Sequence, residues 1–141
     1  MKKTSITTLA LALLALPLTL QAEDIKDTFV CVTQDINVCK LHEGCRELHP
    51  VEMNSPDFWK IELKEKTITA RRQDGSYGTV KIATQQMSND MIMMQGVLDT
   101  TENFEEGIGW TMAVHTGTGR MSIAVSAHEE TISILGSCHA L

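Results

Sequence analysis

Four cysteines and five histidines are the side chains of this 141-residue chain best equipped for chemistry. Cys39-x2-His42-x2-Cys45-x3-His49 puts two thiols and two imidazoles within eleven residues. Zinc takes such ligands in a tetrahedron, but these intervals match no common zinc motif. An even number of cysteines in an exported chain reads instead as two disulfides. Two pairings compete. Cys31–Cys138 with Cys39–Cys45 would join the two ends of the chain and close a short loop. Cys31–Cys45 with Cys39–Cys138 is the alternative. A bridge over about 100 residues stabilises by roughly 4–5 kcal/mol in the chain-entropy model, and the short loop by roughly 2–3 kcal/mol.

A second soft-ligand group is Met87, Met91, Met93 and Met94. Thioethers suit Cu(I), and Met91 and Met93 would share a strand face, whereas a pliable hydrophobic strand uses the same residues. Asp99 to Gly107 carries Asp99, Glu102, Glu105 and Glu106 around Phe104, without the order of ligands that a calcium loop needs. No G-x-S-x-G, H-E-x-x-H or Gly-rich phosphate loop is present. His115 falls on the polar face of a strand, His128 in a turn beside Glu129 and Glu130, and His139 near the end. No cofactor and no enzymatic activity are expected, and a hydrolase ranks last among the readings.

The elements that would position these groups read as strands. Thr28 to Thr33 is β-branched and aromatic and can run on to Ile36. Residues 37–57 read as a folded loop with a short helical turn near Lys40 to Glu43. Trp59 to Lys64 alternates apolar and charged residues, the period of a half-buried strand. Thr67 to Arg72 follows. Asp74-Gly75 signals a hairpin, and Tyr77 to Thr84 alternates again. Ser88-Asn89-Asp90 turns the chain, and Met91 to Leu98 is apolar on both faces. Trp110, Met112 and Val114 point inward, as do Met121, Ile123 and Val125. Ile132, Ile134, Gly136 and Cys138 share one face of the last strand. The expectation is an all-β, single-domain, antiparallel up-and-down meander of about eight strands, forming a small barrel or strongly curled sheet and stapled by disulfides.

Such a meander sorts its connections. Residues 64–66, 85–90 and 116–119 fall at one end, here called upper. Residues 34–57, 73–76, 99–107 and 127–130 fall at the lower end. The two long segments share the lower end, and long connections on a rigid sheet are where binding concentrates. Trp59, Trp110, Phe104, Glu105 and Glu106 are the residues expected to meet a partner there. For the two tryptophans the simpler role is to plug the base of the core.

The chain also carries an address. Lys2 and Lys3, the apolar run Leu9 to Leu20 and a small residue at Ala22 make the three-part pattern of a secretory signal peptide over 1–22. The run is shorter than the roughly 20 residues of a membrane span. The working domain is then 23–141, and losing the two lysines takes the formal charge from −6 to −8. So acidic a chain repels nucleic-acid backbones. A periplasmic or secreted location with no membrane anchor is expected.

The pattern F-V-C-x7-C-x5-C from Phe29, with G-x-C at Gly136 to Cys138, resembles a family of small exported proteobacterial proteins. That family has an N-terminal cysteine triplet and a C-terminal cysteine. The segments W-K-I-E-L-K and G-W-T-M-A-V-H-T-G-T-G-R-M-S-I fit it, but the resemblance implies no activity. The aromatic-x-Cys start and the late cysteine are also loosely similar to periplasmic inhibitors of c-type lysozyme, which are small exported barrels. Their Ser-Ala-Ser-Gly-type inhibitory loop is missing here, and no site residue carries over. The functional expectation is a non-enzymatic envelope binding protein presenting 34–57 and 99–107 to a protein or envelope partner. The alternative is a periplasmic carrier of a small ligand, copper or zinc.

Overall fold

The computed structural model describes residues 26–98 and 107–141. The expected leader and Phe104, Glu105 and Glu106 lie outside the described residues. Ten strands follow in order: β1 (Thr28–Lys40), β2 (Gly44–Leu48), β3 (Phe58–Glu62), β4 (Thr67–Arg71), β5 (Tyr77–Lys81), β6 (Thr84–Ser88), β7 (Met91–Leu98), β8 (Ile108–His115), β9 (Arg120–Ser126) and β10 (Glu130–Ala140). A single 3-10 turn at Pro50–Met53 separates β2 from β3.

The strands form one antiparallel sheet in the order β5-β4-β3-β1-β10-β9-β8-β7-β6, with β2 attached to β1. The two ends of that path, β5 and β6, are consecutive in the chain and separated only by Ile82 and Ala83. The Ile82 amide donates to the Lys66 carbonyl on one side, and the Ala83 amide to the Gln95 carbonyl on the other. One extended stretch therefore leaves β4 and joins β7, and the sheet is strongly curled, like a half-barrel.

Alternation decides what lines the inside. Met94, Met112, Ile123, Ile134 and Ile36 are successive cross-strand partners in one transverse row. Phe29, Ile61 and Ile68 make another. All eight are buried, and burying each such side chain contributes about 1.5–3 kcal/mol.

Two expectations change. The first half of the loop expected over 37–57 is a strand hairpin, because β1 continues to Lys40 and pairs with β2 from Ile36↔Leu48 to Lys40↔Gly44. The helical turn expected near Lys40 to Glu43 is the tight turn of that hairpin, with His42 at φ 66° and Gly44 at φ 86°. The 85–90 connection shrinks to a turn, because β6 runs to Ser88. β6 is exposed along its length and β2 over all but Leu48, so neither strand carries an apolar period to read.

A bulge between Thr33 and Asp35 puts one extra residue, Gln34, into β1. It shifts the inward positions from Phe29, Cys31 and Thr33 to Ile36 and Val38. Opposite the bulge sits Gly136, where a Cβ would run into the Val32 carbonyl oxygen and the Met121 methyl group.

Candidate functional site

The cysteines are all paired. Cys31 and Cys138 are direct cross-strand partners and form one disulfide, with Cys31 fully buried. Cys39 and Cys45 form the other, across the β1–β2 hairpin. Two disulfides belong to an oxidising, non-cytoplasmic compartment. No helix among the described residues is long and apolar enough to cross a membrane.

The Cys-His constellation is thereby dismantled as a zinc site. Neither Cys39 nor Cys45 is left as a thiolate. His42 stands at the exposed turn, while His49 caps the 3-10 turn. Its amide donates to Glu52 Oε2 at 2.7 Å, and its Nδ1 accepts from the Val51 amide at 3.5 Å. Among the described residues, no three His, Cys, Asp or Glu side chains gather as a metal set. Met91 and Met93 do share the outer face of β7, while Met94 is buried.

The two tryptophans divide. Trp110 is only 8% exposed and packs over Gly96, its direct partner on β7. Its Nε1 has no hydrogen-bond partner among the described residues. Trp59 is partly buried, and its Nε1 donates to Thr33 Oγ1 at 3.0 Å. Thr33 Oγ1 in turn donates to the Pro56 carbonyl at 2.8 Å. Both rings are thus packed into structure rather than displayed.

The described part of the lower end is a set of mutually braced turns. The Leu41 amide donates to the Glu129 carbonyl at 2.8 Å, and Lys40 lies 3.7 Å from Glu130. Asn54 Nδ2 donates to Asp74 Oδ2 at 3.1 Å, and the Asp74 amide returns a bond to Asn54 Oδ1 at 3.3 Å. Hydrogen bonds from Ser76, then from Asn54, hold the Asp74 carboxyl below its ordinary value. Beyond Lys40, residues 41–47 of the β1–β2 arm are all exposed, and Leu41 keeps 60% of its surface.

A second surface appears on the outer face, toward the upper end. Two neighbouring transverse rows meet there. One runs Met91, His115, Arg120, Ser137, Val32; the other runs Met93, Ala113, Ser122, Leu135, Asp35. Between them lies an open groove of about 610 Å³ beside the β1 bulge. Met91, Ala113 and Leu135 supply apolar lining, and His115, Arg120, Gln34 and Asp35 supply polar groups. His115 Nδ1 accepts from the Thr118 amide at 3.2 Å, which leaves the neutral ring's proton on Nε2. Arg120 and Asp35 take part in none of the ion pairs among the described residues.

Alternation places His115 on an outward face without a role, and spacing alone singles out none of Arg120, Asp35 and Leu135. Leu135 did leave a trace: an apolar residue at an outward position of Ile132-Ser133-Ile134-Leu135. The grouping itself depends on register across five strands. Comparison with protein-family models, with curated proteins and with solved structures returns no match. Function is therefore argued from the surfaces themselves.

Proposed function

We propose that the chain acts after export as a non-enzymatic binding protein of the bacterial periplasm or of its surroundings. In this reading it presents the lower end, 34–57 with 99–107, to a protein or envelope partner. The observation that carries the reading is the β1–β2 arm. Its outer half, residues 41–47, is exposed throughout, yet it is cross-linked by Cys39–Cys45 and bonded to the 127–129 turn through Leu41 and Glu129. Holding an exposed hairpin in one shape before contact reduces the ordering cost of binding. Leu41 at its tip offers an apolar anchor ringed by polar residues.

The test is recovery of partners by tagged protein from envelope extract. Wild type is compared with Leu41→Ser/His42→Ala and with Phe104→Ala/Glu105→Ala/Glu106→Ala. The arm variant should lose a partner that wild type retains after a high-salt wash. Equal recovery by wild type and both variants would remove the lower end from the account. The outer groove favours a second reading, a small-ligand carrier. Native mass spectrometry of protein purified from the periplasm checks it, and a clean apo mass in every charge state counts against a tightly held ligand.

A further inference from the structure

We propose that the outer groove is a binding site for a short zwitterionic peptide, about three residues long, with free termini and an apolar side chain. The inference is independent of the lower-end reading, because the groove lies across the outer faces of β7, β8, β9, β10 and β1 near the opposite turns.

The groups are arranged by charge along the groove. At one end stand Arg120 and His115, direct cross-strand partners on β9 and β8. The Arg120 guanidinium is in no ion pair among the described residues. The His115 ring, fixed through Nδ1 by the Thr118 amide, has Nε2–H left to donate. A planar guanidinium beside an N–H donor suits a carboxylate. At the other end stand the Asp35 carboxylate and the Gln34 amide, brought there by the bulge. They offer acceptors to an ammonium group. Between the two ends lies Leu135 on β10, half exposed at 50%, while Ala113 and Met91 continue the apolar lining on β8 and β7, on the other side of Arg120 from Asp35. Asp90 also reaches the upper turn, toward Gly117, but it does not line the groove.

Spacing selects the length of the ligand. Arg120 and Asp35 are two strands apart and two residues out of register. At the usual strand spacing and rise their Cα atoms are separated by about 12 Å. Three extended residues span about 10–11 Å, so a tripeptide places its termini at the two charged ends and its central side chain over Leu135. The volume of about 610 Å³ falls within the ~300–1,000 Å³ range of small-ligand sites. The strands beneath are paired on both edges, so the peptide adds no strand to the sheet. Recognition rests on side chains, which makes the free termini decisive.

The probe is Ala-Leu-Ala, titrated to about 10 mM into isotope-labelled protein and followed by amide chemical shifts, a range that reports even millimolar affinity. Shifts should concentrate on Ala113, Ser122 and Leu135. Amidating the C-terminus should weaken binding about tenfold, the scale of one charge-assisted hydrogen bond. Arg120→Gln should bind free and amidated peptide alike. N-acetylation should weaken binding similarly, and Asp35→Asn should abolish that difference. All of these residues are at least partly exposed, and unchanged spectra away from the groove confirm that each variant is folded. No shifts at the top of the titration, indifference to both blocked termini, or equal binding of Gly-Gly-Gly overturns the proposal. Inorganic phosphate reproducing the same shifts at the same concentration also overturns it, since the groove would then hold only a simple anion.

Discussion

At Gly96 the fold leaves no room for one methyl group. A Cβ there would lie 2.6 and 2.8 Å from the Cζ2 and Cε2 atoms of Trp110, and 2.9 Å from the Lys81 carbonyl oxygen. Gly96→Ala should therefore cost about 1–3 kcal/mol in a urea titration, as overpacking of a dense core does. Trp110→Phe removes the crowding ring atoms and a buried N–H that has no partner among the described residues, an orphan worth about 1–3 kcal/mol of penalty. The double variant should cost less than the sum of the singles by at least about 0.5 kcal/mol. Strict additivity would show that the two sites do not press on each other. A second residue-level prediction concerns acid. Asp74 has its folded pKa depressed, first by Ser76 and then by Asn54. Its contribution is present above the ordinary value of 3.8 and is lost as pH falls through the lower folded value. Asp74→Asn should therefore melt below wild type at neutral pH, with the gap closing under strong acid. A gap that persists at the lowest pH would assign the effect to something other than the carboxylate. The inward direction of Trp110 was legible in Trp110-Thr111-Met112-Ala113-Val114. Its neighbour across the sheet was not, because alternation reports faces and says nothing of register.

The β1–β2 arm shows the same boundary between elements that can be read and elements that cannot. Strands with one buried face announced themselves by alternation, as β3, β8, β9 and β10 did. The far half of β1 did not, because Gln34 in the bulge breaks the period after Thr33. Nor did β2 and β6, whose residues meet solvent almost throughout. The candidate groove draws on that illegible bulge for Asp35 and Gln34, so it could not be assembled from spacing. The arm also separates local from global stability. Cys39 and Cys45 are six apart in sequence, and their bridge constrains a hairpin whose tip carries no core residue. Cys39→Ala/Cys45→Ala should thus cost no more than the roughly 2–3 kcal/mol of the chain-entropy model globally, while amide exchange over 39–47 accelerates sharply. If exchange there is unchanged, cross-strand pairing and the Leu41–Glu129 bond hold the arm without help. The braced-hairpin argument for binding would then no longer depend on sulfur.

At the scale of the molecule, the first strand is the middle of the sheet. β1 pairs with β10 over nearly its whole length, with β3 along its first half and with β2 along its second. The sheet therefore cannot be completed until the last residues of the chain are present, and its central ladder joins segments far apart in sequence. Closing so long a loop is what the unfolded chain resists most, and it also slows folding. The Cys31–Cys138 bridge, at a separation of 107 residues, lies within that ladder and removes the loop-closure entropy from the unfolded state. By the chain-entropy model it contributes about 4–5 kcal/mol, against a total of about 5–15 kcal/mol for an ordinary domain. Cys31→Ala/Cys138→Ala should therefore lose a large part of the stability, about twice the loss from the arm pair or more, and should refold more slowly from denaturant. Cys31 is fully buried, so part of any loss could come from packing rather than from the bridge. The separating measurement is denaturation of wild type with and without reductant, which keeps both sulfurs in place. Reduction should reproduce most of the alanine variant's loss. If reduced wild type stays as stable as oxidised while the variant falls, the seam is held by burial at Cys31, and the bridge only marks where the ends of the chain meet.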